Sequence, residues 1–173
     1  MICWDRCGES GQVGVFSRYE VEVLNGYVAG LLNLIERRGR SYDLVTTRSG
    51  QEVGVPTELL DDPRIMAVLK GELGRDEPDW VLAAGESQCL REVGSSLRRM
   101  ASTLPASDAV VHLHSAEDVT AWLRSILCFV ASIESSANEE GEINGKKVDS
   151  TVNWLVGLSC SLQSAAASSA AGW

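Results

Sequence analysis

The chain has 173 residues, 45% of them hydrophobic, which is enough to bury the core of one domain. Its 15 Lys and Arg against 24 Asp and Glu give a formal net charge of -9, a balance that repels phosphate and disfavours autonomous DNA binding. The chain shows neither a signal-peptide pattern at its start nor an apolar run of about 18 residues, so we expect a cytoplasmic protein that does not contact the membrane.

A strand and a long helix are predicted in the first quarter of the chain. Residues 12–16 alternate between apolar and polar types, as a half-buried strand does. The capping-box pattern of Ser17 and Glu20 then opens a helix that runs to about Arg38. Residues 40–56 are largely polar, and we expect them to form a linker or an exposed loop.

Apolar residues at helical spacing predict four further helices. These helices start near Pro63, Pro78, Ala116 and Asp149. Residues 109–113 have the β-branched content of a strand and are expected to pair with residues 12–16. The fold class predicted is therefore mainly α, with about five helices in a single-domain bundle and a short two-stranded β element. This domain would span residues 1–163, followed by a frayed serine–alanine tail over residues 164–173.

The cysteine pair Cys3 and Cys7 is the feature that most suggests chemistry. A disulfide between them closes a small ring and removes little denatured-state entropy, which corresponds to roughly 2 kcal/mol of stability. Such a bond is better suited to reversible regulation than to structural stabilisation. Trp4 lies inside that ring, and we consider it a candidate partner anchor, hidden in one redox state and displayed in the other. The remaining cysteines lie in apolar helical patterns and are predicted to be core thiols; they are Cys89, Cys128 and Cys160.

Three alternatives to a redox switch remain open. The two cysteines could be unpaired and silent in an N-terminal arm. Together with His112 and His114, which alternate along the second predicted strand, they could also form a tetrahedral zinc site. An enzyme is the third alternative, but the Cys-x-x-x-Cys spacing is wrong for a thioredoxin-type catalyst, and no hydrolase, phosphate-loop or dinucleotide motif occurs. We therefore expect no catalysis, no cofactor and no resident metal.

Two small basic groups interrupt the acidic sequence and are candidate phosphate contacts. They consist of Arg37, Arg38 and Arg40 in one group and Arg98 and Arg99 in the other. Arginines at such positions more often solvate a helix end, so any DNA contact is expected to be indirect. An acidic surface favours docking onto a basic, DNA-binding protein, and a homodimer stays open.

Several short motifs, in their order and spacing along nearly the whole chain, resemble the actinobacterial AosR family of oxidative-stress regulators. They are Met1-x-x-Trp4-x-Arg6, Phe16, residues 20–24, Asp61-Asp62-Pro63, Leu90-Arg91, residues 117–123 and residues 152–155. The resemblance implies a helical transcription regulator that senses oxidants through an intramolecular disulfide. It also implies action with an alternative sigma factor or RNA polymerase on genes of thiol or cysteine metabolism. A protein-binding adaptor with incidental cysteines is the alternative.

Overall fold

The computed structural model describes residues 4–7, 11–40, 42–46, 48–50, 52–56, 62–74, 79–105, 110–140 and 145–170. Within these ranges the chain forms five helices and five strands. Their bounds are β1 Trp4–Cys7, β2 Gly11–Val15, α1 Arg18–Gly39, β3 Tyr42–Thr46, β4 Glu52–Pro56, α2 Pro63–Leu73, α3 Asp79–Thr103, β5 Val110–Leu113, α4 Ala116–Glu140 and α5 Gly145–Ala170. The predicted mainly α class is confirmed.

The larger sheet has the strand order β1-β2-β5, and both strand pairs are antiparallel. The predicted pairing between the strand segments near residues 12–16 and 109–113 is confirmed: β2 pairs with β5, and Gly14 lies opposite Val111. Strand β1 adds an edge to this ribbon, with Trp4 opposite Gly14. The sequence does not predict β1, because four residues are too few to show an alternating pattern.

Residues 40–56 do not form the predicted linker. They contain the antiparallel strands β3 and β4, in which Val45 lies opposite Val53. Between the strands, Gly50 adopts a φ of 79°, a left-handed conformation that favours glycine. The valines of both strands and this glycine turn favour a hairpin over a loop, despite the polar residues around them.

Helix α4 lies at the centre of the bundle and packs against α2, α3 and α5. Its side chains Trp122, Ile126 and Phe129 are fully buried. Local chemistry explains where helix α1 begins, because the capping box of Ser17 and Glu20 forms as predicted. None of the helices in the described parts of the chain is both long and apolar enough to cross a membrane.

Helix α5 continues through the segment that we expected to fray, as far as Ala170. Ala165 and Ala166 pack against the core, and the Gln12 side-chain amide donates to the backbone carbonyl of Ala165 over 3.4 Å. Alanine has the highest helix propensity of all residues, and its small side chain lets α5 approach the sheet. The tail prediction for residues 164–170 is therefore corrected, whereas residues 171–173 lie outside the described part of the chain.

Candidate functional site

The indole of Trp4 fills an aromatic slot at the junction of the sheet and the helices. Its ring lies 5.5 Å from that of Phe16 and 5.5 Å from that of Trp122, edge to face in both pairs. Trp122 is itself fixed, because its Nε1–H donates to the Thr103 hydroxyl over 2.7 Å. Only 6% of Trp4 is exposed. In this conformation the candidate partner anchor is a core residue, so contact with a partner requires that β1 leave the sheet.

Gly14 is what makes room for Trp4. A Cβ atom added at Gly14 would lie 2.9 Å from both Cε3 and Cζ3 of Trp4 and 3.0 Å from the ring of Phe16, closer than side chains tolerate. The sequence carries a weak signal of this slot, since a glycine inside an alternating strand often marks a close approach. The two aromatic partners could not be predicted, because Phe16 follows β2 and Trp122 lies on α4, both far from Trp4 in the sequence. We call Gly14, Phe16 and Trp122 the Trp4 slot.

The Trp4 slot holds its indole by apolar contact alone. The Trp4 Nε1 atom is buried, and among the described residues it has no hydrogen-bond partner. Burying a tryptophan gives about 4–6 kcal/mol from its apolar area. An unpaired buried N–H costs about 1–3 kcal/mol of this gain. The net contribution of the Trp4 side chain to holding β1 in place is therefore only a few kcal/mol.

The two N-terminal cysteines flank this slot in sequence. Cys3 lies outside the described residues, and for Cys7 the structure gives only its place at the end of β1, opposite Gly11. In an extended strand the three steps from Trp4 to Cys7 cover about 10 Å. A disulfide needs its two Cα atoms about 4.4–6.8 Å apart. A fully extended segment from Cys3 to Cys7 would be too long for a disulfide, so closing the ring needs a turn in this segment.

The other three cysteines differ from one another in exposure. Cys89 and Cys128 are free and buried, as predicted. Burial raises the pKa of the Cys89 thiol to about 11, and it raises the pKa of Cys128 well above the usual range. Because the thiolate is the reactive form, both are poor nucleophiles. Cys160 is exposed on α5, so its prediction as a core thiol is wrong.

His112 on β5 and His114 directly after that strand are both exposed, with their rings stacked 5.9 Å apart. The alternation predicted for them is therefore present. Among the described residues no group of three or more His, Cys, Asp or Glu side chains is placed to hold a metal ion. The zinc hypothesis also requires Cys3 and Cys7. Because the side chains of both lie outside the described part of the structure, the zinc site stays a prediction.

Three of the five candidate phosphate-binding arginines form ion pairs within the bundle. Arg38 on α1 forms a bidentate ion pair with Glu86 on α3. The Arg38 side chain is only 9% exposed and the Glu86 side chain only 2%. Arg38 thus takes part in an ion pair between two helices and leaves little of its side chain exposed. Arg98 lies 3.6 Å from Glu36, and Arg99 pairs with Asp118. The remaining two, Arg37 and Arg40, lie exposed at the end of α1.

Asp118 ties the start of α4 to the end of α3. Its carboxylate accepts hydrogen bonds from Arg99 Nε at 2.7 Å, the His114 N–H at 2.9 Å and the Ser115 N–H at 3.1 Å. Burial opposes its ionisation, but these hydrogen bonds and the Arg99 charge outweigh burial and hold the pKa of Asp118 below its usual value. The arginine predicted as a phosphate contact therefore anchors a helix N-terminus.

We expect Asp118→Asn to destabilise the protein at pH 7 and to matter much less near pH 3. A pKa that is lowered on folding contributes stability above the unfolded value of about 3.9, and this contribution is lost as the pH falls through the folded value. Urea unfolding of both proteins at the two pH values measures the difference. Glu117→Gln is the matched control, because Glu117 is 71% exposed and lies 3.8 Å from Arg99. An Asp118→Asn effect of equal size at both pH values would contradict this role of the charge.

Comparisons with protein-family models, with curated proteins and with solved structures identify no similar protein. The site is therefore assessed on its own geometry. That geometry joins an edge strand, a tryptophan slot and a cysteine at the strand end.

Proposed function

We propose that the chain is a non-catalytic, redox-responsive regulator in which oxidative stress joins Cys3 to Cys7 in a reversible disulfide. The two thiols and one peroxide molecule yield the disulfide and two water molecules, so that the sulfur atoms are oxidised and the peroxide is reduced. The family resemblance of the sequence supports the output, which is control of thiol or cysteine metabolism genes together with an alternative sigma factor or RNA polymerase.

One observation supports this proposal most strongly. The short strand β1 begins with Trp4, which is buried in the Trp4 slot, and ends with Cys7. A turn in the segment from Cys3 to Cys7 would compete with the extended conformation of β1. Strand β1 is also an edge strand, so its release breaks pairing with β2 alone and leaves the β2–β5 ribbon intact. Oxidation would therefore free Trp4 and empty the slot without unfolding the helices.

Release of β1 would create two contact features at once. The freed Trp4 is a large aromatic side chain of the type that dominates protein interfaces. The vacated slot exposes Phe16 and Trp122 beside the unpaired edge of β2. With β1 in the sheet both features are buried, so we infer that partner binding would differ between the two redox states.

The second candidate is a protein-binding adaptor with incidental cysteines. It is favoured by the pairing of Arg38, Arg98 and Arg99 with carboxylates, because the charges of these three candidate phosphate contacts are partly neutralised within the bundle. A net charge of -9 instead attracts basic proteins and speeds their encounter. The adaptor and the redox regulator would share this kind of partner and differ in whether oxidation changes the binding.

Mild peroxide treatment is expected to link Cys3 to Cys7 and to change the set of proteins that the chain binds. Peptide mass mapping identifies the disulfide, and pull-down under reduced and oxidised conditions compares the partners. A Cys160→Ser background removes the exposed thiol, which could otherwise cross-link two copies. The Cys3→Ser/Cys7→Ser variant in the same background is the matched control.

The two candidates give different results in this experiment. If no Cys3–Cys7 disulfide forms, the redox proposal fails. If the disulfide forms but the partner sets of the reduced and oxidised proteins are the same, only the adaptor survives. Oxidation-dependent binding that persists in the double serine variant would assign the switch to another residue.

A further inference from the structure

A groove of about 420 Å³ opens between the start of α1 and the first half of α5. Its lining residues are Ser17, Tyr19, Glu20, Val23, Ser150, Thr151 and Trp154. This volume is in the range of small-ligand sites. None of these residues belongs to β1 or to the Trp4 slot, so the groove is separate from the proposed redox site.

Aromatic side chains give this groove its apolar surface. Tyr19 is 72% exposed, although it is large and partly apolar. Trp154 is partly buried against the core, and its Nε1 atom has no hydrogen-bond partner in the described part of the chain. Near the groove, burial raises the pKa of Tyr27 on α1, and the side chain of Thr151 on α5 opposes this rise.

Glu20 is the single charged side chain among the described residues that line the groove. One of its carboxylate oxygens accepts hydrogen bonds from both the backbone N–H and the hydroxyl of Ser17, each at 2.7 Å. The free N–H groups at a helix start ordinarily favour an anion, but here the capping box already uses those of Ser17 and Glu20. A carboxylate fixed at this position repels anions and attracts cations.

We propose that this groove binds the side chain of a lysine or arginine from a protein partner. The faces of tyrosine and tryptophan attract ammonium and guanidinium groups, and a nearby carboxylate complements their charge. The net charge of -9 draws a basic segment towards the surface. Because the groove is open, the backbone that carries the cationic side chain can remain outside it.

A short glycine–lysine peptide is a suitable probe of this site. Its titration into the nitrogen-15-labelled full chain is expected to shift the indole N–H signal of Trp154 in a saturable way. The Trp154→Phe variant assigns that signal. A matched peptide with norleucine in place of lysine has the same carbon chain but no charge, and we expect it to bind at least about fivefold more weakly.

Two single variants on α1 test the role of the carboxylate. Glu20→Gln removes the charge but keeps the capping box, in which glutamine replaces glutamate well, so the helix still begins at the same place. We expect its dissociation constant for the lysine peptide to rise about threefold to fivefold. Glu22→Gln is the control, because Glu22 pairs with Arg18 at 3.0 Å outside the groove. This control should bind as the wild type does.

Three results would overturn the proposal. One is the absence of any Trp154 shift at millimolar lysine peptide. Another is equal binding of the norleucine peptide, which would show an apolar groove without preference for a cation. The third is an equal loss of affinity in Glu20→Gln and Glu22→Gln, which would indicate only general attraction to an acidic protein. None of these results depends on Cys3 or Cys7, so the redox proposal is tested separately.

Discussion

Glu86→Ala is expected to lower the free energy of unfolding by about 3–5 kcal/mol, because it leaves the Arg38 guanidinium buried without its counter-charge. In the native protein Arg38 Nε donates to Glu86 Oε1 over 2.5 Å, and Nη2 donates to Oε2 over 3.2 Å. Both side chains are almost completely removed from water. This pair joins α1 to α3, so its loss weakens the packing of two long helices.

Urea unfolding of the Glu86→Ala protein measures this effect. Glu36→Ala is the matched control, since Glu36 also joins α1 to α3, through Arg98 at 3.6 Å. More than half of each side chain in that pair is exposed, so its removal should cost no more than about 1 kcal/mol. Similar losses in the two variants would show that burial does not distinguish the pairs.

Trp4→Ala is expected to cost about 3 kcal/mol, near the lower end of the range for buried aromatic side chains, because it also removes the unpaired indole N–H. Gly14→Ala should have a similar cost, since its added Cβ would lie 2.9 Å from two atoms of the Trp4 ring and force the indole out of the slot. The two substitutions should therefore not be additive. In a protein that already lacks Trp4, Gly14→Ala should cost less than about 1 kcal/mol.

A double-mutant cycle in urea, followed by tryptophan fluorescence, measures this coupling. Gly30→Ala is the control, because a Cβ at Gly30 on α1 would meet no atom within 4 Å. That change should raise stability by about 0.5–1 kcal/mol through helix propensity alone. Additive costs for Trp4→Ala and Gly14→Ala would mean that the glycine does not make room for the indole.

The sequence predicted those helices and strands that are determined by residues close together in the chain. The capping box of Ser17 and Glu20 begins α1, and Asp62 with Pro63 begins α2, as expected. The pairing of β2 with β5 was also predictable, because both segments have clear strand character. The frayed tail was mispredicted because helix propensity and the contacts of Ala165 with the core outweigh its polar composition.

The features that depend on tertiary contacts could not be predicted from the sequence. Nothing near Arg38 in the chain indicates Glu86, which is 48 residues away. The Trp4 slot likewise combines Gly14 on β2, Phe16 just after that strand and Trp122 on α4, so the sequence gives only the isolated glycine at position 14 as a hint. The cysteine spacing suggested a switch, whereas the structure adds what the switch would move: an edge strand that carries a buried tryptophan.

Amide hydrogen exchange on the reduced and oxidised protein tests the central claim most directly, because it follows the β1–β2 hydrogen bonds themselves. The measurement uses the Cys160→Ser background, with Cys3→Ser/Cys7→Ser as the control. We expect oxidation to remove protection from the amides of the β1–β2 pairing while amides in α3 and α4 stay protected, and we expect no such loss in the control. An oxidised protein that contains the Cys3–Cys7 disulfide and keeps full protection in β1 would contradict the account.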